Sequence, residues 1–487
     1  MQPQGEKNPN IVLIMADQLA PDVISALGHP SVQTPNIDKL VEKGVTFDNA
    51  YCNSPICAPS RASFISGQHV SSIDVFDNGS EFSSDTPTFL HHLRKSGYET
   101  VLAGKMHFIG PDQFHGFEKR ITDEIHTPDF DLTPDWSKGV YHNPGTGVKR
   151  LKKAGVEELN NNIDYDEKVI HRTLEQIRTF KRTEDQRPFF LCSSFFHPHD
   201  PFVITEEYWN RYEGCDIPMP AVPEEAPEDM HPFNLWIQKH HERDICELTE
   251  EEIYNNRRAY YGMVTYFDHK VGQIIHELER LDMMDNTIIM VTSDHGEMLG
   301  EHGMWFKRTF YDPAAKVPLV ISKPDQFLQN QRASQVVSLV DLAATILDLA
   351  DVEDKEGLTA EMDGDSFASM LREEEIKDWK NEAICEYYGE GPVKPMIMIR
   401  KDSYKYVEVL DEAPLLFDVE ADPLEINNLS EQEEFQPLID IFQQRIEKQF
   451  DLESIHRKIL KNQKNRLFIA DALNTGYKTS WDHNTKD

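Results

Sequence analysis

The sequence has few of the features that mark secreted, disulfide-rich or membrane proteins. It has six cysteines in 487 residues, without the CxxC pairs of zinc and redox motifs. The first apolar run, residues 11–15, is far shorter than a signal-peptide core, and no later run approaches the length of a membrane span. We therefore expect a cytoplasmic protein with no membrane partner.

Basic charge is also scarce in this sequence. Aspartate and glutamate number 85 against 49 lysines and arginines, which gives a formal net charge of −36. Such a charge repels nucleic-acid phosphates and anionic lipid headgroups, so nucleic acid is excluded as a partner. With 39% apolar residues, the chain is nevertheless able to bury a large core.

Short runs rich in Val, Ile and Phe alternate with longer helical patterns. The clearest runs are residues 11–15, 189–196, 287–292 and 317–322. This alternation predicts an α/β protein with a central parallel sheet covered by helices. In such a sheet ligands collect where the strands end, so the residues that follow each run are the candidates for a site.

Titratable or amide side chains follow four of the predicted strands. They are Asp17 and Gln18 after residues 11–15, Lys105 and His107 after residues 101–103, His197 and His199 after residues 189–196, and Asp294 and His295 after residues 287–292. Because parallel strands end at one edge of a sheet, we expect these side chains to converge there.

The pattern changes near residue 375. Residues 396–399 and 404–409 predict a hairpin, residues 415–419 predict a further strand, and residues 431–465 are predicted to be helical. This pattern indicates a small antiparallel C-terminal subdomain. The predicted limits are 1–375 for the catalytic domain, 376–455 for the C-terminal subdomain and 456–487 for a C-terminal tail.

Cys57 lies at the predicted start of a helix. Pro59 suits a first helical turn, and Gly67 suits the position just past the end. The free N–H groups and dipole of a helix N-terminus stabilise an anion, and Arg61 adds several donors for sulfate or phosphate oxygens. Cysteine at such a place is an activated nucleophile, whereas the other five are interpreted as small buried hydrophobic residues.

The string Cys57-Ala58-Pro59-Ser60-Arg61 resembles the signature of the type I sulfatases, in which this cysteine becomes formylglycine (3-oxoalanine). The resemblance implies an alkaline-phosphatase-like fold, with a central mixed sheet flanked by helices. It also implies a formylglycine-generating maturation enzyme as partner. The hydrated aldehyde carries two hydroxyls, of which one attacks sulfur and the other later expels sulfate.

The same resemblance implies a metal site and a set of catalytic side chains. Calcium is the first choice of metal, with magnesium or manganese as alternatives. Gln18 departs from the family, where a second aspartate is common, and His199 is the first choice for the acid that protonates the leaving group. The metal candidates are Asp17, Gln18, Cys57, Asp294 and His295. The catalytic candidates are Cys57, Arg61, Lys105, His107, His199, His295 and Lys307.

Three strings resemble the choline sulfatases within that family. They are residues 104–116, Thr133-Pro134-Asp135-Trp136 and Trp481-Asp482-His483. The quaternary ammonium of choline cannot donate hydrogen bonds, so its recognition needs an aromatic face and carboxylates. The substrate-binding candidates are Asn78, Trp136, Glu386 and Asp482. The resemblance further implies a homodimer or homotetramer in which the tail closes the substrate site.

The sequence therefore predicts hydrolysis of choline O-sulfate to choline and inorganic sulfate. Three alternatives stay open. The first is a phosphonate monoester or phosphodiester hydrolase, because related enzymes also use formylglycine and act on tetrahedral groups of similar shape. The second is a sulfatase for another small sulfate ester. The third is a choline-ester binder without catalysis, in which Cys57 stays a thiol.

Overall fold

The structure is a computed structural model that describes residues 8–140, 144–352, 362–372, 378–478 and 480–485. Its strands are β1 (Asn10–Ala16), β2 (Val45–Tyr51), β3 (Glu99–Gly104), β4 (Lys119–Arg120), β5 (Gly155–Val156), β6 (Phe189–Ser194), β7 (Val203–Ile204), β8 (Thr287–Ser293), β9 (Leu319–Ser322), β10 (Gln331–Ser338), β11 (Glu382–Tyr387), β12 (Met396–Lys401), β13 (Tyr404–Val409) and β14 (Leu415–Asp418). Its helices are α1 (Pro35–Glu42), α2 (Cys57–Ser66), α3 (Val70–Ile73), α4 (Phe89–Lys95), α5 (Asn161–Arg182), α6 (Glu206–Asn210), α7 (Pro232–His240), α8 (Glu250–Arg280), α9 (Asp312–Ala315), α10 (Leu339–Leu349), α11 (Gln436–Gln449) and α12 (Leu452–Leu473).

The central sheet has the strand order β10-β2-β9-β8-β1-β6-β3-β4. Its pairs are parallel except those of β9, which runs antiparallel to both β2 and β8. The mixed sheet expected from the family resemblance is confirmed, and the wholly parallel sheet expected from the alternation is wrong at β9.

The direction of β9 follows from the loop that precedes it. After β8 the chain stays at the edge where that strand ends, held by backbone bonds such as Gly296 N to Ala314 O and Met298 N to Phe306 O. A parallel return would need a crossover along the whole sheet, usually a helix, and this segment contains only the four-residue α9. The chain therefore re-enters the sheet from the same edge.

Alternate residues of β1 are buried on opposite faces of the sheet. Ile11, Leu13 and Met15 belong to one apolar cluster, and Val12 and Ile14 belong to another. Helices α2 and α10 contribute to the first cluster and α8 to the second. Because both faces of β1 are covered by apolar side chains, the polar side chains that follow this strand lie at its end.

The strands β11–β14 form the small antiparallel sheet near the C-terminus. The expected hairpin of β12 and β13 is confirmed, whereas β11 was not predicted. The helical stretch consists of two helices, α11 and α12, and the Asp451 side chain caps the second by accepting from Ser454 N. The predicted boundary at residue 375 lies outside the described residues, so the division into three parts stays a proposal.

Within the described ranges, no helix combines the length and the apolar character that membrane crossing requires. All six cysteines are free. The Sγ atoms of Cys52 and Cys385 lie 3.9 Å apart in a weak hydrogen bond without a disulfide, and both residues are buried. Cys215 and Cys246 are only partly buried, so they fit the expectation of buried hydrophobic cysteines less well.

Candidate active site

Helix α2 places Cys57 at its first residue, as the sequence predicts. Gly67 ends the helix in the left-handed conformation (φ 68°), which glycine adopts without strain. Cys57 is 2% exposed. Asn78 lies beside this N-terminus, where its Oδ1 accepts from Ala58 N at 3.0 Å. Asn78 thus satisfies one of the free N–H groups of the helix and fixes the first turn.

Four potential metal ligands converge around Cys57. The ligand atoms of Asp17, Cys57, Asp294 and His295 all lie within 4.8 Å of one another. Asp17 and Asp294 directly follow β1 and β8, whose last residues, Ala16 and Ser293, are paired. Carboxylate oxygens are the ligands that calcium and magnesium prefer, so the donor set fits a hard divalent cation.

Gln18 meets this cluster through its backbone. Its N–H donates to Asp294 Oδ1 at 3.1 Å. Its amide group turns away toward other partners, because Oε1 accepts from Lys307 Nζ at 2.5 Å and Nε2 donates to Glu297. These contacts give Gln18 a role in orienting Lys307, and its place among the metal ligands stays a proposal.

Arg61 lies beneath the cluster, fully buried. Its Nε donates to Asp294 at 2.8 Å and its Nη2 to Asp17 at 2.9 Å. Its Nη1 donates to Lys105 O and to Ser194 Oγ. These bonds occupy the guanidinium that we expected to bind sulfate oxygens. Arg61 therefore fixes the two carboxylates in place, and its predicted contact with sulfate oxygens stays a proposal.

Lys105, Lys307 and His199 surround Cys57 with positive charge and N–H donors. Lys105 Nζ lies 2.5 Å from Asp17 Oδ2, and Lys307 Nζ lies 3.4 Å from Cys57 Sγ. Lys307 Nζ also donates to His199 Nε2 at 2.7 Å, while His199 Nδ1 donates to Asp200 O at 2.7 Å. These contacts leave the proton of a neutral His199 on Nδ1.

The electrostatics of the site favour an anion at residue 57. Burial raises the pKa of Cys57, yet the charges of Lys105, Lys307 and His295 hold that pKa well below its usual range. Burial and the Cys57 charge oppose ionisation of Asp17, and Lys105, His199 and Arg61 nevertheless hold the pKa of Asp17 below its usual range. The site therefore stabilises negative charge on a nucleophile or on a sulfuryl group.

His107 carries a partner that the sequence analysis missed. Its ring stacks on His126, with centroids 4.2 Å apart, and its backbone N–H donates to Glu124 at 2.9 Å. Burial lowers the pKa of both imidazoles. The hydrogen bond between the His107 and Cys57 side chains opposes the effect of burial on the pKa of His107 and places this imidazole beside the candidate nucleophile. His197, by contrast, is a loop support whose Nδ1 is bonded to Asp166.

Three predicted substrate-binding residues have their contacts elsewhere. Trp136 Nε1 donates to Gly389 O at 3.0 Å, and its ring packs in an apolar cluster with Tyr388. Glu386 accepts from Ser71 N and from Tyr388 Oη, beside α3. Asp482 is exposed and accepts from Ser480 Oγ. The structure therefore does not bring Glu386 or Asp482 to Cys57 through any described contact.

Arg308 and Glu390 are the charged pair that sequence reasoning overlooked. Arg308 follows Lys307 in a left-handed conformation (φ 80°), and its Nε lies 3.6 Å from Glu390 Oε2. Burial raises the pKa of Glu390 to about 7, and the charge of Cys57 contributes to this rise. Tyr387 Oη donates to Glu390 O at 2.6 Å and fixes the turn. The only sequence signal was the position of Arg308 beside Lys307.

Helix α12 reaches the loops next to this site. Arg466 forms a two-pronged ion pair with Asp77, at 2.7 Å and 2.6 Å, and also donates to Thr133 Oγ1. Gln463 Oε1 accepts from Trp136 N at 3.0 Å. Asp77 directly precedes Asn78, which contacts the first turn of α2. One helix thus connects the two loops on which the predicted substrate-binding residues Asn78 and Trp136 lie.

The tail packs on the loops around β4 of its own chain. The Trp481 ring contacts Phe130 edge-on at 5.3 Å, and Thr485 donates to Asp123 at 2.8 Å. His483 contacts the ring of Phe114 at 5.0 Å. These contacts place the Trp481-Asp482-His483 string beside residues 114–130 of the same chain.

The chain is similar to several characterised proteins. A family profile described as "Sulfatase" matches residues 9–352, and one described as "N-sulphoglucosamine sulphohydrolase, C-terminal" matches residues 300–451. Choline-sulfatase of Rhizobium meliloti (strain 1021) is 37% identical, over 98% of this chain and 93% of that protein. N-acetylglucosamine-6-O-sulfatase of Bacteroides thetaiotaomicron is 26% identical, over 88% of this chain and 84% of that protein.

Solved structures show the same fold at lower identity. Phosphonate monoester hydrolase of Agrobacterium radiobacter superposes with a TM-score of 0.74 at 24% sequence identity. The superposition covers 92% of this chain and 96% of that one. At this identity the likeness concerns the fold alone.

Proposed function

Because the chain belongs to the sulfatase family, we propose that it hydrolyses choline O-sulfate to choline and inorganic sulfate. The 37% identity to a choline-sulfatase over 98% of the chain is the observation that carries the choice of substrate. The buried cluster of acidic, cysteine and histidine ligands around Cys57 supports the hydrolytic chemistry.

Cys57 is the proposed nucleophile after its conversion to formylglycine. In the hydrated aldehyde, one hydroxyl loses its proton and its oxygen bonds to sulfur, while the bond from sulfur to the alcohol oxygen breaks and that oxygen takes up a proton. The second hydroxyl then gives its proton to a histidine of the site as the C=O bond of the aldehyde re-forms, which breaks the bond between this carbon and the sulfate oxygen. Lys105 and Lys307, close to residue 57, stabilise the charge that grows on the sulfuryl oxygens.

His199 and Lys307 are the proposed route of the proton to the leaving alcohol. The two side chains share a hydrogen bond of 2.7 Å, and Asp200 O holds the imidazole in place through Nδ1. An alkoxide such as that of choline is a strong base, so it must take up a proton as it leaves. His107, whose side chain is hydrogen-bonded to Cys57, is proposed to contact sulfate oxygens.

Asp17, Asp294 and His295, together with modified Cys57, are the proposed ligands of a divalent metal ion, calcium first and magnesium or manganese as alternatives. Gln18, which bonds Asp294 through its backbone, remains a proposed further member of this set. A bound cation of this kind would lower the pKa of the nucleophile and hold the sulfuryl group. Arg61 orients the carboxylates of Asp17 and Asp294 for metal binding through its two ion pairs.

Glu390 replaces Glu386 in our proposal for the choline end of the site. Both are buried, but Glu390 pairs with Arg308 next to Lys307 and is affected by the charge of Cys57, whereas Glu386 is bonded to Ser71 and Tyr388. Asn78, at the first turn of α2, is retained as a substrate-binding residue. Trp136 and Asp482 are proposed to influence substrate binding indirectly. Trp136 anchors its loop, and Asp482 belongs to the C-terminal tail.

The cellular location, the oligomeric state and the maturation partner of the protein are also proposals. Six free cysteines are expected where thiols stay reduced, which supports a cytoplasmic location. The exposed Phe468, 73% accessible on α12, supports a homo-oligomer that uses this helix. The maturation enzyme remains the proposed partner of the unmodified chain.

A comparison of three esters tests the proposed substrate. We expect kcat/KM for choline O-sulfate to exceed that for p-nitrophenyl sulfate, and both to exceed that for a phenylphosphonate monoester, because the site presents Glu390 to a cation. The protein should first be checked for modification of Cys57 by peptide mass spectrometry. A preference for the phosphonate would show that the protein is a phosphonate monoester hydrolase. A preference for the aryl sulfate would exclude choline O-sulfate as the preferred substrate, and the sulfatase activity would stand.

Removal of the metal should abolish turnover and lower thermal stability. Asp17 and Asp294 are buried anions whose attraction to a divalent cation is lost on chelation. Ligand binding at about 100 times Kd stabilises a fold by roughly 2.7 kcal/mol, so saturating calcium should raise the melting temperature of the chelated protein by a few degrees. The protein is dialysed against EDTA, and calcium, magnesium or manganese is then added back. Calorimetry measures the melting temperature, and steady-state assays measure the turnover rate. An unchanged rate after complete metal removal would contradict the proposed site.

A further inference from the structure

A second cavity lies between β4, helix α5 and the C-terminal tail. Its volume is about 490 Å³, and it is lined by Arg120 of β4, by Arg172 and Gln176 of α5, and by residues 483–485 of the tail. None of the described residues that line it belongs to the candidate active site. A volume of this size is typical of sites for small molecules, and one or two waters do not fill it.

Two side chains of this lining have donor atoms without partners. Arg120 is 5% exposed and Gln176 is 8% exposed. Among the residues that the structure describes, Arg120 Nε and Gln176 Nε2 have no hydrogen-bond partner. A buried donor without a partner destabilises a fold, so two such donors in the lining of one cavity indicate a ligand that accepts hydrogen bonds.

The charge of the lining favours an anionic ligand. In the described part of the chain, two arginines of the lining stand against one carboxylate, that of Glu175, although the whole chain carries a formal net charge of −36. Glu175 is 55% exposed, where water screens its charge, and it pairs with Arg172 at 3.0 Å. The Arg120 side chain is fully buried, so its charge acts in a medium of lower dielectric constant.

Arg120 is also connected to the candidate active site. Its Nη2 donates to Glu124 Oε2 at 2.6 Å, and the same oxygen accepts from Met106 N and His107 N. His107 has a left-handed backbone (φ 56°), which a residue other than glycine adopts only where its surroundings hold it. An anion at Arg120 Nε competes with Glu124 for the charge of the guanidinium and so weakens the support of the loop that carries Lys105 and His107.

We propose that this cavity binds a small tetrahedral oxyanion through Arg120 Nε and Gln176 Nε2, and that the bound anion lowers turnover at Cys57. Inorganic sulfate, the product of the proposed reaction, has this chemistry, so the cavity serves as a product-sensing site. The regulation rests on the proposed sulfatase function, whereas the binding site does not. A guanidinium N–H and an amide N–H are both donors, so a cation satisfies neither.

Calorimetric titration with inorganic sulfate tests the binding site. Gln176→Leu removes the donor and keeps the approximate size of the side chain, and Gln436→Leu makes the same change at an exposed position of α11. We expect Gln176→Leu to bind sulfate in the cavity at least about tenfold more weakly, while Gln436→Leu matches the wild type. The variant should therefore take up one sulfate fewer per chain at concentrations that saturate the wild type, whatever binds at Cys57. Equal uptake by both would overturn the site.

Crystals of the wild-type protein soaked in selenate locate the site without any variant. Selenate is a tetrahedral analogue of sulfate, and its selenium scatters X-rays anomalously. We expect a selenium peak in the cavity, with selenate oxygens within hydrogen-bond distance of Arg120 Nε and Gln176 Nε2. A cavity that holds only water at saturating selenate would overturn the proposal.

Product inhibition tests the regulation. Sulfate at Cys57 competes with the substrate and raises KM, whereas sulfate in the cavity should lower kcat for p-nitrophenyl sulfate by at least about twofold. In Gln176→Leu only the effect on KM should remain. An unchanged kcat in wild-type protein whose cavity is saturated with sulfate would overturn the regulation.

Two further outcomes separate this proposal from the proposed function. Protein that binds sulfate in the cavity but hydrolyses no sulfate ester, with Cys57 modified, would overturn the sulfatase function and support the binding site. Titration with inorganic phosphate compares a second anion of the same shape. Tighter binding of phosphate than of sulfate in the cavity would support an oxyanion site and overturn its role in sensing the product.

Discussion

The Cys57→Ala variant should lose sulfate ester turnover by at least about 10^4-fold, because no other side chain can take over the covalent step. The cations around residue 57 would still bind sulfate, so the loss should appear in kcat rather than in KM. Steady-state rates on choline O-sulfate and p-nitrophenyl sulfate measure this. Alanine fits where cysteine was, and the helix keeps its contact between Asn78 and Ala58.

Cys192→Ala is the matched control for this variant. Cys192 is a buried cysteine in β6, and burial raises its pKa to about 12, so it is an inert thiol. Both variants should unfold at similar temperatures, and only Cys57→Ala should be inactive. If Cys57→Ala retained more than about 1% of kcat, the nucleophile would lie elsewhere.

The His199→Ala variant should separate alkyl from aryl sulfates. General acid catalysis contributes about 10^2–10^4-fold, so kcat on choline O-sulfate, whose alkoxide needs a proton, should fall by that factor. p-Nitrophenolate is a weak base that leaves without a proton, so its rate should fall by less than about tenfold. The ratio of the two rates is therefore the diagnostic quantity.

His197→Ala provides the contrast, because its imidazole is bonded to Asp166 and supports the same loop. A distorted loop should slow both substrates by the same factor and lower the melting temperature. Should His199→Ala slow both esters equally as well, His199 would be a loop support and the proton would come from another group.

The candidate site could be predicted where local sequence determines it. Asp17 and Asp294 directly follow buried strands, and paired parallel strands end at one edge, so their convergence follows from the pattern alone. The start of α2 at Cys57 was predictable for the same reason, since Pro59 and Gly67 are local signals. The direction of β9 was not, because it depends on backbone bonds that hold residues 296–314 at the edge of the sheet.

The rest of the site depends on contacts between distant parts of the chain. Arg61 has the donors that a sulfate needs, and only the fold shows that Asp17, Asp294 and Ser194 use them. Glu386 and Glu390 are four residues apart and chemically identical. Which of them lies near Arg308 is decided by the turn after β11, which Tyr387 fixes through Glu390 O.

The ion pair of Asp77 and Arg466 has a consequence for the order of events during synthesis. The two residues are 389 positions apart, so the loop that carries Asn78 lacks its buried counter-charge until α12 leaves the ribosome. Cys57, at 2% exposure in the finished fold, is out of reach of a modifying enzyme. We therefore expect the proposed conversion of Cys57 to precede the completion of the fold.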